Sequence, residues 1–349
     1  MGRCDHLLVD ILFIALCTLL SNGEDFEDMV EFGNQRKDWL CTILELPNGI
    51  PSHDTFNRVL QILDPESLNE ILLADGHGLL DSLEGKLINL DGKKIRGYSP
   101  RSKGNDGLYV LSAWVSEQEL CIGQLAVEEK SNEITAIPKV LDSLDIKGAT
   151  VTIDAMGCQT EIADMIVEGG GNYLLAVKEN QAGLYEEIHE AFTYFPENGY
   201  SKTWEYNHGR HEVRHCRLLK AKDSLGTMVL SKWRILEYLV EIKSERTMDG
   251  VTAYQTRYYI SSQHDLTPEI ANNHARGHWS IENKLHWQLD VTFNEDACRA
   301  RTANSAINLN TLRKIALHRI KLDDTKLSMK KRRFRASMNN DYLIKLLEL

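Results

Sequence analysis

The sequence lacks paired cysteines. Its seven cysteines are scattered along the chain, and none belongs to a Cys-x-x-Cys pair. Zinc ribbons are built on such pairs, and small secreted domains need a regular set of disulfides, so the pattern argues against both classes. A reducing compartment is the simpler location, and we expect a cytoplasmic protein.

The N-terminal region also lacks an apolar run long enough to span a bilayer. Such a run takes about 20 residues. The run from Leu7 to Leu20 is mostly apolar but is interrupted by Asp10. It resembles the apolar part of a signal peptide, yet no small-x-small cleavage site follows it. We therefore predict a buried core helix here, and no membrane partner.

Positive charge is in short supply. The chain has 40 Lys and Arg against 51 Asp and Glu, with a formal net charge of −11. Phosphates repel an acidic protein at long range, which is awkward for a DNA-binding protein. The charges are unevenly placed, however, because acidic residues crowd 24–31 and basic residues crowd 326–335. Net charge therefore neither supports nor excludes a nucleic-acid partner.

Internal repeats and low-complexity linkers are absent as well, so the 349 residues, 42% of them hydrophobic, predict two or three ordinary globular units. The spacing of apolar residues divides the chain into five segments. These are a helical N-terminal domain expected to recognise DNA ends (1–84), the first part of an α/β core (85–196), a β-rich insertion (197–263), a helical second part of the core (264–321) and a basic C-terminal tail (322–349).

Two predicted strands of the core finish on an aspartate, Asp91 after 86–90 and Asp154 after 149–153. Three strands followed by α/β units are the plan of an RNase H-like fold. Active sites of open α/β sheets lie beyond the carboxyl ends of strands, and two-metal phosphoryl transfer needs converging carboxylates. Together with Glu282 on a later helix, these aspartates are therefore candidate ligands for two divalent ions. The alternative for each aspartate is an ordinary turn or helix-cap residue.

The region around Glu282 has its own pattern. His278, Glu282 and His286 follow one another at helical i, i+4, i+8 spacing and so share a helix face. A zinc site is the competing interpretation, but the spacing matches no zinc motif. We favour the histidines as DNA contacts or hydrogen-bond partners. Trp279 and Trp287 would suit base stacking, but tryptophans at this spacing more often lie in a core.

Seven short motifs occur in order: Asp91-Gly-Lys93, Lys130-Ser-Asn-Glu133, Asp154-Ala-Met-Gly-Cys-Gln159, Lys178-Glu-Asn180-Gln181, His208-Gly-Arg210, Arg257-Tyr-Tyr-Ile-Ser261 and the segment 278–291. Together they resemble the H-repeat-associated family of insertion-sequence DDE transposases over nearly the whole chain. The resemblance implies an RNase H-like core with an N-terminal helical domain and a β insertion. It implies that Asp91, Asp154 and Glu282 are both catalytic and metal-binding.

The same resemblance implies two Mg²⁺ (or Mn²⁺) ions per active site. It also implies double-stranded DNA as partner (the terminal inverted repeats of the element and its target), a homodimer on that DNA, and a nucleoid-associated location. Related transposases often carry Tyr, Arg and Lys around the catalytic Glu, but Ala275, His278 and Leu289 stand at those places. The wider signature is therefore not carried over. We would also expect more polar and basic residues ahead of Leu7, so the sequence also fits a shortened or decayed copy with its catalytic positions intact.

Eight residues are candidate DNA contacts: Lys93, Lys178, Asn180, Gln181, His208, Arg210, His278 and His286. For those that follow strands or lie in turns, an ordinary polar loop is the alternative. Three functions stay open at this point. The chain is a transposase that cleaves DNA and transfers strands, a catalytically inactive DNA-binding relic of one, or an RNase H-like nuclease without strand transfer.

Overall fold

A computed structural model describes residues 5–98, 108–127, 133–207 and 209–348. Its centre is a mixed sheet of nine strands in the order β3-β2-β1-β4-β5-β9-β8-β7-β6. The strands are β1 (Leu87–Ile95), β2 (Leu108–Val115), β3 (Leu120–Val127), β4 (Thr150–Ile153), β5 (Asn172–Val177), β6 (Gly199–Asn207), β7 (Arg210–Lys220), β8 (Tyr238–Met248) and β9 (Val251–Ser261).

The middle of the sheet combines both kinds of pairing. β1 pairs with β2 in antiparallel and with β4 in parallel orientation, and β4 pairs in parallel with β5. The parallel ladder of β1 ends where Leu90 pairs with Ile153. β1 itself continues to Ile95 along β2, with Asp91 opposite Ser112. The prediction that this strand ends on Asp91 is therefore wrong, because the antiparallel partner keeps the polar residues after Asp91 extended.

Helices cover the sheet on both sides. They are α1 (Leu8–Leu20), α2 (Phe26–Gln35), α3 (Lys37–Leu40), α4 (His53–Ile62), α5 (Pro65–Gly78), α6 (Glu133–Asp142), α7 (Thr160–Glu168), α8 (Ala182–Tyr194), α9 (Ala221–Ser224), α10 (Thr227–Leu230), α11 (Pro268–Ile281), α12 (Trp287–Val291), α13 (Ser305–Leu322), α14 (Met329–Met338) and α15 (Asn340–Leu347). A π-helical turn, Glu282–His286, joins α11 to α12. α11 begins with two residues suited to a helix start: Thr267 caps the helix and Pro268 occupies its first position.

Alternation along the strands produces two separate cores. On one face, Ala113 and Ile122 pack with α6, α7 and α8. On the other face, Trp114 and Cys121 pack with α1, α4, α5, α13, α14 and α15. The first and last helices of the chain thus share one core.

The predicted core helix at 7–20 is confirmed as α1, whose inner residues Ile11, Ile14 and Leu19 are fully buried. Within the part of the chain that the structure describes, no helix combines the length and apolarity needed to cross a membrane.

The β-rich region 197–263 does not form a sheet of its own. β9 pairs with β5, so β6 to β9 extend the central sheet. β8 and β9 are joined through Asp249 and Gly250, both at positive φ (49° and 78°). A two-residue hairpin turn of this kind needs positive φ at both positions, which Asp-Gly adopts readily. The ends of the strands near this turn are exposed.

Residues 322–349, expected as a basic tail, are mostly helical. Arg333 on α14 is fully buried and donates to the backbone carbonyls of Leu19, Gly23 and Thr292. Its guanidinium also lies 4.4 Å from the ring centre of Phe293. A basic residue that the charge pattern placed in solvent therefore holds α14 against α1.

Candidate active site

Asp91 occupies a negatively charged, largely buried position on β1. Its side chain is 27% exposed. Burial is the main reason that its pKa rises to about 6, and the nearby carboxylates of Glu282 and Asp154 raise it further, while His286 opposes the rise. The residue is therefore an acid that is costly to ionise unless a cation is near.

Asp154 follows β4 directly, one residue beyond the pair formed by Ile153 and Leu90. Because β1 and β4 are parallel, this register places Asp154 beside Asp91 at the same edge of the ladder. Its carboxylate accepts a hydrogen bond from Met156 N at 3.0 Å and caps the short 3-10 turn Ala155–Gly157. Asp154 therefore caps a turn, as the alternative interpretation expected, and also lies beside Asp91.

Glu282 and His286 are brought together by the π-helical turn that begins at Glu282. Nδ1 of His286 lies 2.9 Å from Oε2 of Glu282 and 3.5 Å from Oδ2 of Asp91. The hydrogen bond from His286 is the main cause that lowers the pKa of Glu282. Within the described part of the chain, one ligand atom from each of Asp91, Glu282 and His286 lies within 4.8 Å of the others.

His286 itself is only 3% exposed. Its other ring nitrogen, Nε2, is buried and has no hydrogen-bond partner among the described residues. Histidines that bind metal usually donate their second ring N–H to an acceptor, and this one has none. The contacts therefore favour Nδ1 as a donor between the two carboxylates over Nδ1 as a metal ligand.

His278, one turn before Glu282, contacts the sheet. Its Nδ1 lies 3.0 Å from Oγ1 of Thr152, which in turn donates to Oδ1 of Asn89 at 2.6 Å. Burial lowers the pKa of His278 to about 4, so the ring is neutral near neutral pH. This polar chain fastens α11 onto β1 and β4 and so fixes where Glu282 lies.

Lys93 lies in an ionic network. Its Nζ is 2.7 Å from Asp290, 3.1 Å from Glu295 and 3.6 Å from Asp296. Glu295 is completely buried and also pairs with Arg313 at 3.5 Å. Since the side chain of Lys93 is 10% exposed and engaged by three carboxylates, it links the strand of Asp91 to the region after α12.

Asn180 and Gln181 brace the loop that follows Asp154. Asn180 donates to the carbonyl of Ala155 at 2.7 Å, and Gln181 donates to that of Cys158 at 2.8 Å. Lys178 is exposed just before them. Of these three candidate DNA contacts, Asn180 and Gln181 thus donate hydrogen bonds to backbone carbonyls, and Lys178 is an exposed lysine.

Arg210 begins β7 and lies 3.5 Å from Glu212, whereas His208 lies outside the described residues. The structure does not bring Arg210 to the carboxylates. It places the residue instead in a groove beside α11. Trp279 and Trp287, for which a core position was the commoner expectation, are 49% and 53% exposed.

Glu133 is a neighbour of the site that no spacing argument had singled out. A Cβ placed on Gly92 would lie 2.3 Å from Oε1 of Glu133, so the buried Glu133 carboxylate packs directly against the backbone next to Asp91. The only signal in the sequence was its place in the second motif, at the start of a helix.

Carboxylates from two parallel strands and a helix, gathered around a mixed sheet, are the arrangement expected of enzymes that act on phosphate esters. Comparison with known families agrees: residues 56–318 match the model of the transposase DDE domain, and residues 1–74 match the DDE_Tnp_1-associated model. The chain belongs to the DDE transposase family.

Individual relatives confirm the resemblance to the H-repeat-associated group. "H repeat-associated putative transposase YhhI" of Escherichia coli (strain K12) is 37% identical, over 99% of this chain and 93% of that protein. "Putative transposase YncI" of Escherichia coli O157:H7 is 36% identical, over 99% of this chain and 90% of that protein. A solved piggyBac transposase synaptic complex with hairpin DNA matches with a TM-score of 0.46 and 13% identity, over 100% of this chain and 75% of that chain.

Proposed function

We propose that this protein is an active DDE transposase that cleaves DNA at the ends of an insertion sequence and joins the freed ends to target DNA. Asp91, Asp154 and Glu282 are its catalytic residues. The observation that carries the proposal is that Asp91 and Glu282, far apart in sequence, meet at His286: one ligand atom from each of the three residues lies within 4.8 Å of the others. Asp154 is close enough to raise the pKa of Asp91.

The topology supports an RNase H-like core. Strands β1 to β5 follow the order 3-2-1-4-5, with an antiparallel hairpin pair on one side of β1 and parallel β4 and β5 on the other. The sequence predicted three strands followed by α/β units, the plan of an RNase H-like fold, and this strand order is compatible with that plan. The N-terminal domain and the β insertion at 197–263 are then additions to that core.

The donor set fits Mg²⁺ or Mn²⁺. Both ions prefer carboxylate oxygens, and a bound cation would favour ionisation of Asp91, whose pKa is raised by burial and, to a smaller extent, by Glu282 and Asp154. When bound, two divalent ions supply Lewis-acid stabilisation of the phosphoryl group and make a water or a 3′-hydroxyl easier to deprotonate. Asp91, Asp154 and Glu282 would hold them, and no side chain has to serve as a nucleophile.

His286 and His278 position the catalytic carboxylates. His286 is buried and donates between Glu282 and Asp91, so it keeps the two carboxylates at a fixed separation. His278 anchors the helix that carries Glu282 to the sheet. We assign neither a direct DNA contact. The partners proposed are the double-stranded ends of the element and the target, bound by a homodimer in the nucleoid.

The test is a cleavage assay on the inverted repeats that flank the reading frame, with and without Mg²⁺ or Mn²⁺. We expect metal-dependent nicking at the repeat ends, followed by strand-transfer products. Asp154→Asn should abolish both, and Asp324→Asn, at an aspartate whose side chain is 90% exposed, should leave both intact.

The outcomes of this assay distinguish the three functions left open by the sequence. Cleavage that persists in Asp154→Asn contradicts the assignment of that residue. Cleavage without strand transfer identifies a nuclease of the RNase H type, and binding of the repeats without cleavage identifies an inactive relic.

A further inference from the structure

A groove of about 750 Å³ runs between the β-ribbon formed by β7, β8 and β9 and the helix α11. Alternation along the strands directs one face of the ribbon toward α11. In the strand register of this face, Glu212 of β7 lies opposite Arg246 of β8, and Arg246 lies opposite Ala253 of β9. The opposite wall is α11 and the turn after it, from Asn272 to Lys284.

The groove concentrates positive charge in an acidic protein. Six cationic side chains line it: Arg210, Arg214, Arg246, Arg257, Arg276 and Lys284. Glu212 is the only carboxylate among the described residues that line it. With a net charge of −11 for the whole chain, such a concentration on one surface is the mark of a polyanion-binding site.

Two of these arginines are available to a ligand. Four of the six cations are already paired: Arg210 and Arg214 contact Glu212, at 3.5 and 2.8 Å. Arg276 pairs with Glu205, and Lys284 lies 2.5 Å from Glu119. By contrast, Arg246 and Arg257 have no carboxylate within 4 Å in the described ranges. Arg246 is exposed near the end of the ribbon. Arg257 lies deeper, where it donates to the side chain of Gln255 at 2.9 Å.

An aromatic ring lies in the same groove. Trp279 on α11 is 49% exposed, and the guanidinium of Arg257 lies 4.7 Å from its ring centre. An exposed indole beside arginines is the combination that proteins use to stack unpaired bases while binding the backbone. Trp279 precedes Glu282 by less than one helical turn, so the groove borders the helical turn that carries Glu282, although Asp91, Asp154 and Glu282 do not line it.

The size of the groove limits what it can take. A volume of about 750 Å³ is that of a small-molecule pocket. It therefore suits a few nucleotides of one strand and not a turn of duplex.

From these observations we propose that the groove binds a short stretch of unpaired single-stranded DNA beside the helical turn of the catalytic glutamate, with Trp279 stacking on a base and Arg246 and Arg257 contacting phosphates. The proposal rests on the proposed function, since it assumes that DNA is the substrate. It adds that the DNA is opened locally before it is cut.

The experiment measures binding of the full-length protein by fluorescence anisotropy, in EDTA so that no cleavage occurs. The probes are a short fluorescein-labelled oligo(dT) and a blunt duplex of the same length. We expect oligo(dT) binding to depend on the groove residues, whereas the duplex, which other surfaces of a transposase also bind, should bind the groove variants as tightly as it binds the wild type. Arg246→Ala should weaken single-strand binding and reduce the salt slope of log K by about 0.7 between about 50 and 200 mM salt, the value for one lost phosphate contact.

Trp279→Ala should weaken single-strand binding by about tenfold or more, and Trp279→Phe, which retains an aromatic face, should recover most of it. The control is Arg234→Ala, at an exposed arginine that precedes β8, lies outside the groove and pairs with Glu168. It should bind as the wild type does. Melting temperatures of all variants are compared, and Arg246, being exposed, can be changed without a loss of folding.

Equal oligo(dT) binding by wild type, Arg246→Ala and Trp279→Ala overturns the groove assignment, and a loss of duplex binding as large as the loss of oligo(dT) binding overturns the single-strand assignment. Neither result bears on catalysis, because the cleavage assay with Asp154→Asn is read separately. A protein that binds oligo(dT) through the groove but never cleaves would refute the proposed activity and leave the groove intact.

Discussion

The Asp91→Asn substitution should stabilise the protein in the absence of metal while removing its response to metal. The pKa of Asp91 is raised from 3.8 to about 6, so the folded state holds a proton that the unfolded state releases between those values. Stability therefore falls as pH rises through this window, and above it the ionised carboxylate costs up to about 3 kcal/mol, at about 1.4 kcal/mol per pKa unit. Asparagine removes that cost.

Part of this gain will be lost, because the side chain is 27% exposed and the amide accepts the hydrogen bond from the backbone of Gly92 less strongly than the carboxylate. We expect a net gain of about 1–2 kcal/mol near neutral pH, which raises the melting temperature by a few degrees. The assay is thermal unfolding in EDTA and in Mn²⁺, at neutral pH and at about pH 5.

Wild type should gain stability with Mn²⁺, because binding to the folded state alone is stabilising, whereas Asp91→Asn should not. The difference between variant and wild type in EDTA should shrink toward pH 5. Asp324→Asn serves as the matched control and should behave as wild type in every condition. An Asp91→Asn protein that is less stable than wild type in EDTA, or that keeps the full Mn²⁺ response, would refute the reasoning.

Three further predictions test other parts of the site and the fold. Gly92→Ala places a methyl group 2.3 Å from a carboxylate oxygen of Glu133, so cleavage should drop sharply, and circular dichroism should show whether the fold is retained. Arg333→Ala leaves three backbone carbonyls without their buried donor and should cost about 2–4 kcal/mol in urea unfolding, whereas Lys330→Ala, at an exposed position of the same helix, should cost under about 0.5 kcal/mol. Asn180→Ala removes the hydrogen bond to the loop after Asp154. It should slow cleavage on the order of tenfold and lower the free energy of unfolding by about 1 kcal/mol. An unchanged rate would mean that this hydrogen bond is not needed to position the loop.

Much of the site follows from local sequence. The strand before Asp154 and the capped start of α11 at Thr267 are readable because apolar runs and cap residues act on their immediate neighbours. The helical face shared by Glu282 and His286 was readable for the same reason. The π-helical turn that joins them was not, because a π turn depends on packing against the rest of the fold and has no composition of its own.

Features that depend on distant partners were missed. Asp91 lies within β1 and not at its end, because β2 supplies the hydrogen bonds that extend the strand. The β insertion joins the central sheet because β9 pairs with β5, a pairing between segments about 80 residues apart that alternation along one strand cannot reveal. Arg333 reads as a surface cation, since nothing near it in sequence indicates that carbonyls of α1 will surround it.

The core shared by the first and last helices has a consequence for synthesis. While the polypeptide emerges from the ribosome, α1 can pack on α2 at once, but α13 and α14, which complete its cover, are made more than 280 residues later. Part of the apolar surface of α1 therefore stays exposed through most of translation, which favours binding by chaperones. A frameshift or stop ahead of Ser305 would leave the surface of α1 that packs on α13 permanently uncovered. We expect such shortened chains to be unstable and to be degraded.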